Sequence, residues 1–98
     1  MTAPNAETAE MLGRTLVSER LAACANVVPK IVSMYWWEGE LQRDDEAMVI
    51  LKTVEQRAQA LEARAVELHP YTVPEVLVLA VSGGHAPYLA WVDHEVGG

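Results

Sequence analysis

The sequence predicts an α+β fold, an antiparallel sheet with its helices on one face, in the element order α-β-β-α-β-α. Three observations carry this. Apolar residues recur at helical spacing in two separate stretches, Ala9, Leu12, Leu16 and Val17, then Ala58, Leu61, Ala65 and Leu68. Between them, Ser33 to Thr53 reads as a β-hairpin whose first strand carries the consecutive aromatics Tyr35, Trp36 and Trp37. Beyond the second helix, Val76 to Val81 is a continuous apolar run of strand length.

Asn5 is a good N-cap with Glu7 in the first turn, and the helix it opens runs to about Arg20. Gly13 sits mid-helix at some cost, so close helix–sheet packing is its expected reason. From Ala22 the pattern turns extended. Pro29 cannot donate a ladder hydrogen bond, which predicts an edge strand or a bulge there. Successive strand side chains point to opposite faces, so Val32, Met34 and Trp36 share one face while Ile31, Ser33, Tyr35 and Trp37 share the other. A small domain covers one sheet face with its own helices. The second face, loaded with aromatics, needs another cover, and this predicts an oligomer.

A turn near Glu38-Gly39 leads through Asp44-Asp45 into a returning strand, Ala47 to Lys52. Thr53-Val-Glu-Gln56 matches a capping box for the second helix. Pro70 ends that helix, because the residue before a proline is pushed out of the α region. The Val76–Val81 strand is expected to be buried on both faces. Ser82-Gly-Gly84 forms a turn, and Pro87 suits the first turn of a short last helix carrying Tyr88, Leu89, Trp91 and Val92.

This order is a ferredoxin-like split β-α-β sandwich with its first strand missing or truncated. Only Met1-Thr-Ala-Pro4 stands where that strand belongs. The native protein is therefore expected to begin upstream of Met1. The sheet should then show either an open slot beside Val76–Val81 or a substitute strand filling it.

Composition narrows the function classes. The 98 residues make one domain, 1–98, near the size where a single core folds alone. A formal charge of −7 argues against binding a phosphate backbone, so no nucleic-acid partner is expected. No run approaches the roughly 18 apolar residues of a membrane span, and the N-terminus has neither the basic start nor the apolar core of a signal peptide. Cys24 is the only cysteine, which excludes an intrachain disulfide and makes a reducing cytoplasm the default compartment.

Few side chains are candidates for chemistry. His69 closes the second helix ahead of Pro70, where it serves either as a helix-end packing residue or as a metal ligand. Cys24, within Leu21-Ala-Ala-Cys-Ala25, reads as a small hydrophobe. Glu38, Glu40, Asp44, Asp45 and Glu46 read as a solvated hairpin tip, with weak binding of a hard cation as the alternative. His85 and His94, flanking the last helix, are most simply surface residues. Trp37, Lys52, Tyr71, Glu75 and Tyr88 form either an ion-paired structural contact, with Lys52 against Glu75, or a small-ligand cleft between subunits. No serine-nucleophile elbow, His-Glu-x-x-His motif or phosphate-binding loop is present, and enzymatic activity is not expected.

Five segments, Leu21-Ala-Ala-Cys-Ala-Asn26, Tyr35-Trp-Trp-Glu-Gly39, Ile50-Leu-Lys-Thr53, His69-Pro-Tyr-Thr-Val-Pro-Glu75 and Tyr88-Leu-Ala-Trp91, occur in register. Together they resemble the CutA divalent-cation tolerance family from about Thr2 to about Glu95. The resemblance implies a ferredoxin-like trimer whose long hairpins bind neighbouring subunits. It also implies a copper site whose ligand positions correspond here to Met1, Leu68 and His69, of which only His69 is a strong ligand, with the Met1 thioether able to serve soft Cu(I). The implied function is a cytosolic homotrimer binding or responding to copper or another divalent cation, weakly. Two alternatives stand beside it: a PII-like trimeric signalling module with a small ligand between subunits, and a trimeric scaffold.

Overall fold

A computed structural model of the chain describes residues 1–97. Its elements are β1 (Thr2–Ala3), α1 (Ala6–Ser18), β2 (Cys24–Trp37), β3 (Glu40–Lys52), α2 (Glu55–Leu68) and α3 (Ala86–Glu95). Asn5 starts α1 as expected, its Oδ1 accepting the Thr8 amide at 2.8 Å. The sheet is antiparallel in the order β1-β3-β2, so β2 is an edge strand. The hairpin turns through Glu38 and Gly39 alone, with φ of 50° and 80°. A two-residue hairpin loop needs positive φ at both positions to match the strand twist, and the glycine supplies one of them freely.

Pro29 lies at a β-bulge. Val28 pairs with Met48 and Ile31 with Glu46, so Pro29 and Lys30 together oppose Ala47. The extra residue reverses which β2 side chains face which way. Below the bulge, even-numbered β2 residues share a face with Met48, Ile50 and Lys52; above it, Ile31, Ser33, Tyr35 and Trp37 take over that same face.

The core sits on the other face, under α1, where Leu12, Ala9, Ala3, Ala47 and Val49 are buried together. Gly13 has the packing role the sequence suggests, since a Cβ there would lie 3.1 Å from Ala25 Cβ. Helix α3 is held by burial of Val92 and Val96 and by two arginines. Arg20 donates to the Glu95 carbonyl at 2.9 Å and its carboxylate at 2.7 Å, and Arg57 Nε donates to the Val96 carbonyl at 3.0 Å. Among the described residues, no helix is long and apolar enough to cross a membrane.

Three expectations are corrected. The returning strand begins at Glu40 rather than Ala47, so Asp44, Asp45 and Glu46 pair in the ladder opposite Ser33, Val32 and Ile31. Pairing uses the backbone, and carboxylates on a solvated hairpin do not oppose it. The capping box does not form, because the Thr53 hydroxyl donates to the Leu21 carbonyl at 2.7 Å and Val54 occupies the N-cap position. Val76–Val81 joins no ladder among the described residues, and Leu77 and Leu79 are 71% and 84% exposed rather than buried. A two-residue β1 offers too few backbone groups to template a six-residue neighbour, and no substitute strand pairs with the run among the described residues.

Candidate functional site

The bulge assembles a polar cluster on the helix-free sheet face. Tyr35, carried there by the parity change, donates its hydroxyl to Asp44. Tyr71, on the turn after α2, donates to Glu46 Oε2 at 2.7 Å. Asp44 and Glu46 are two apart in β3 and therefore point the same way, so two tyrosine–carboxylate pairs stand side by side. Burial and then the bond to Glu46 raise the Tyr71 phenol above its ordinary pKa of 10. The bond to Asp44 does the same for Tyr35.

Nearer the base of the hairpin, the Lys52 ammonium donates to Asn26 Oδ1. Within one chain no ion pair joins Lys52 to Glu75 among the described residues. Glu75 is exposed and acts instead on the α-amino group of Met1, opposing the burial that lowers that group's pKa. Half-buried Cys24 places its Sγ 3.6 Å from the Tyr88 hydroxyl, which raises the Tyr88 pKa. Tyr88 in turn leans on Trp91, ring centroids 5.7 Å apart.

Of the five cleft candidates, Trp37 and Lys52 share the helix-free face, and Tyr71 and Tyr88 reach it through Glu46 and Cys24. They do not converge within one chain. Trp37 pairs with Glu40 at the hairpin tip and Lys52 with Cys24 at its base, about 40 Å apart at the usual strand rise. Glu75 lies outside this face's hydrogen bonds.

His69 occupies a different place, the junction of α2 with β1. It is buried, 7% exposed. Its Nε2 lies 2.7 Å from the Thr2 carbonyl oxygen and its Nδ1 3.1 Å from the Tyr71 amide nitrogen. A carbonyl can only accept and an amide N–H only donate, so the ring is neutral with its proton on Nε2. Both nitrogens are occupied, and the ring also packs on Tyr71 at 4.8 Å between centroids. His85 and His94 are exposed. Among the described residues no three His, Cys, Asp or Glu side chains group closely enough to hold a metal. The residues present do not fit a resident copper centre.

Sequence reasoning missed the partners Asn26, Asp44 and Glu46. The Asp44 pairing was within reach, because a two-residue loop at Glu38-Gly39 fixes the register and sets Asp44 diagonal to Tyr35. The contact of Tyr71 with Glu46 had no local signal.

Comparison with known proteins gives a consistent result. Residues 1–95 match the family model of the CutA1 divalent ion tolerance protein. A divalent-cation tolerance protein CutA of Thermus thermophilus is 41% identical over 99% of this chain and 94% of its own length. The chloroplastic Protein CutA 1 of rice is 46% identical over 96% of this chain but 53% of its own length, so the chain spans about half of that plant relative. Its fold superposes on the Thermus thermophilus structure with a TM-score of 0.93 at 42% identity, covering 98% of this chain and 93% of that one. The Oryza sativa CutA1 crystal structure gives 0.92 at 45% identity, covering 96% and 86%. The chain belongs to the CutA1 divalent ion tolerance family.

Proposed function

We propose that this chain serves divalent-cation tolerance as a homotrimer that takes copper or another divalent cation weakly and catalyses no reaction. The observation that carries the reading is the family match over residues 1–95, together with relatives named for divalent-cation tolerance. Assembly is supported by the apolar surface one chain leaves uncovered. Trp36 is 73% and Trp37 52% exposed, and they lie on β2, an edge strand whose outer backbone groups are free to pair. The exposed Val76–Val81 run adds to that surface. Closed cyclic symmetry covers such surfaces without leaving an open end.

Weak binding follows from the chemistry of the donors. Asp44 and Glu46 already accept tyrosine hydroxyls, and a cation gains affinity only from several converging ligands. A single half-buried thiol, Cys24, suits a reducing compartment such as the cytoplasm.

Native mass spectrometry with and without copper tests both parts at once. The expected spectrum is three chains, with copper adducts that appear only at excess metal and are lost on mild activation. A monomer at micromolar concentration, or one tightly held copper per chain, would overturn it.

A further inference from the structure

We infer that His69 is a structural pin held in one neutral tautomer, and that the cation this chain takes binds away from it. Three features of its surroundings agree. The side chain is buried, its Nε2 serves the Thr2 carbonyl and its Nδ1 serves the Tyr71 amide. Each of those backbone groups depends on the imidazole. Thr2 is itself buried and belongs to a strand of two residues, and Tyr71 follows Pro70, at the turn that leaves α2. The ring thus fastens the start of the sheet to the end of α2 and orients the tyrosine that reaches Glu46.

A metal ion can approach an imidazole only through a nitrogen lone pair. On Nδ1 that lone pair is engaged by the Tyr71 N–H; on Nε2 it appears only after the proton leaves and the Thr2 carbonyl loses its donor. Either route leaves a buried backbone group without a partner. No group of three His, Cys, Asp or Glu side chains stands ready to offset that loss among the described residues. Neighbouring Leu68 offers no donor atom, and Glu46, the carboxylate bonded to this network, already accepts from Tyr71. The exposed rings of His85 and His94 present no such obstacle.

This bears on where cation binding occurs, not on whether it does, so the test reads the imidazole itself. With His85 and His94 both changed to Ala, His69 is the only histidine, and its ring nitrogens are observed directly by long-range ¹H–¹⁵N NMR. The expected spectrum shows Nε2 protonated and Nδ1 unprotonated. It should stay unchanged when zinc(II), or copper(I) under anaerobic conditions, is added to one equivalent per chain. Both ions are diamagnetic, so the ring signals stay free of paramagnetic shift and broadening, and coordination reads as a large upfield shift of the ligated nitrogen. A large upfield shift of either nitrogen at one equivalent, or a spectrum with the proton on Nδ1 before metal is added, overturns the inference. Cation binding seen by mass spectrometry with the ring unmoved supports it.

Discussion

Strand β3 crosses two environments, and its two ends show how the chain divides its labour. Towards its C-terminus, Ala47 and Val49 are buried under α1 with Ala3, Ala9 and Leu12. Towards its N-terminus, Leu41 faces Trp36 across the ladder, and both stand exposed. Pairing with β2 runs through both halves, broken only at the bulge opposite Ala47, and β1 adds a neighbour at Ala47 and Met48, so the outer half differs chiefly in its cover. Apolar burial stabilises by about 25 cal/mol per Å² removed from water. The inner half gains this within one chain, while the outer half leaves its apolar surface uncovered there. Val76–Val81 belongs with the outer half, although it follows α2 in sequence.

Substitutions separate the halves. Trp36→Ala is expected to have the largest effect, about 3–5 kcal/mol against assembly for a ring fully buried between copies. Light scattering should show the proposed trimer dissociating, with the circular dichroism of the subunit unchanged. Leu12→Ala should do the reverse, costing about 2–5 kcal/mol of subunit stability by chemical denaturation. Met34→Ala, at a 69% exposed position, should change the stability of a dilute single chain by less than about 0.5 kcal/mol. Equal costs for Leu12 and Met34 would erase the contrast.

A smaller loss is expected within the core from overpacking. Gly13→Val places a branched side chain where a Cβ alone already lies 3.1 Å from Ala25 Cβ, and should cost about 1–3 kcal/mol in a denaturation midpoint. The smallest effect concerns pH. The folded pKa of Tyr71 lies above the ordinary 10, so its contribution is complete below the unfolded pKa and is lost as pH rises through the higher folded value. Wild type should therefore lose stability more steeply than Tyr71→Phe above about pH 10. Parallel curves would show that folding does not raise the Tyr71 pKa.

The helices, the hairpin and the bulge were legible in the sequence because each has a local cause. Asn5 caps α1, Pro70 ends α2, Gly39 permits the turn and Pro29 marks the irregular register. The extent of β3 was not, because the run of carboxylates from Asp44 to Glu46 reads as loop while the ladder it joins is set by Trp37 pairing with Glu40. The burial assigned to Val76–Val81 failed for a related reason. An apolar run declares that it needs cover, but not whether its own chain supplies it. His69 was identified as a residue of consequence, yet its two backbone partners lie on separate elements that sequence order does not bring together.

Hydrogen–deuterium exchange of the peptides covering Ile31–Trp37 and Val76–Val81, followed across protein concentration, tests most directly the claim that the outer half is completed by other copies. In dilute protein Val76–Val81 and the amides of Ile31–Trp37 that do not bond to β3 should exchange rapidly, and they should become protected together as the proposed trimer forms, while the amides of α1 stay protected throughout. Rapid exchange of both at every concentration, or full protection where light scattering reports a monomer, would contradict it.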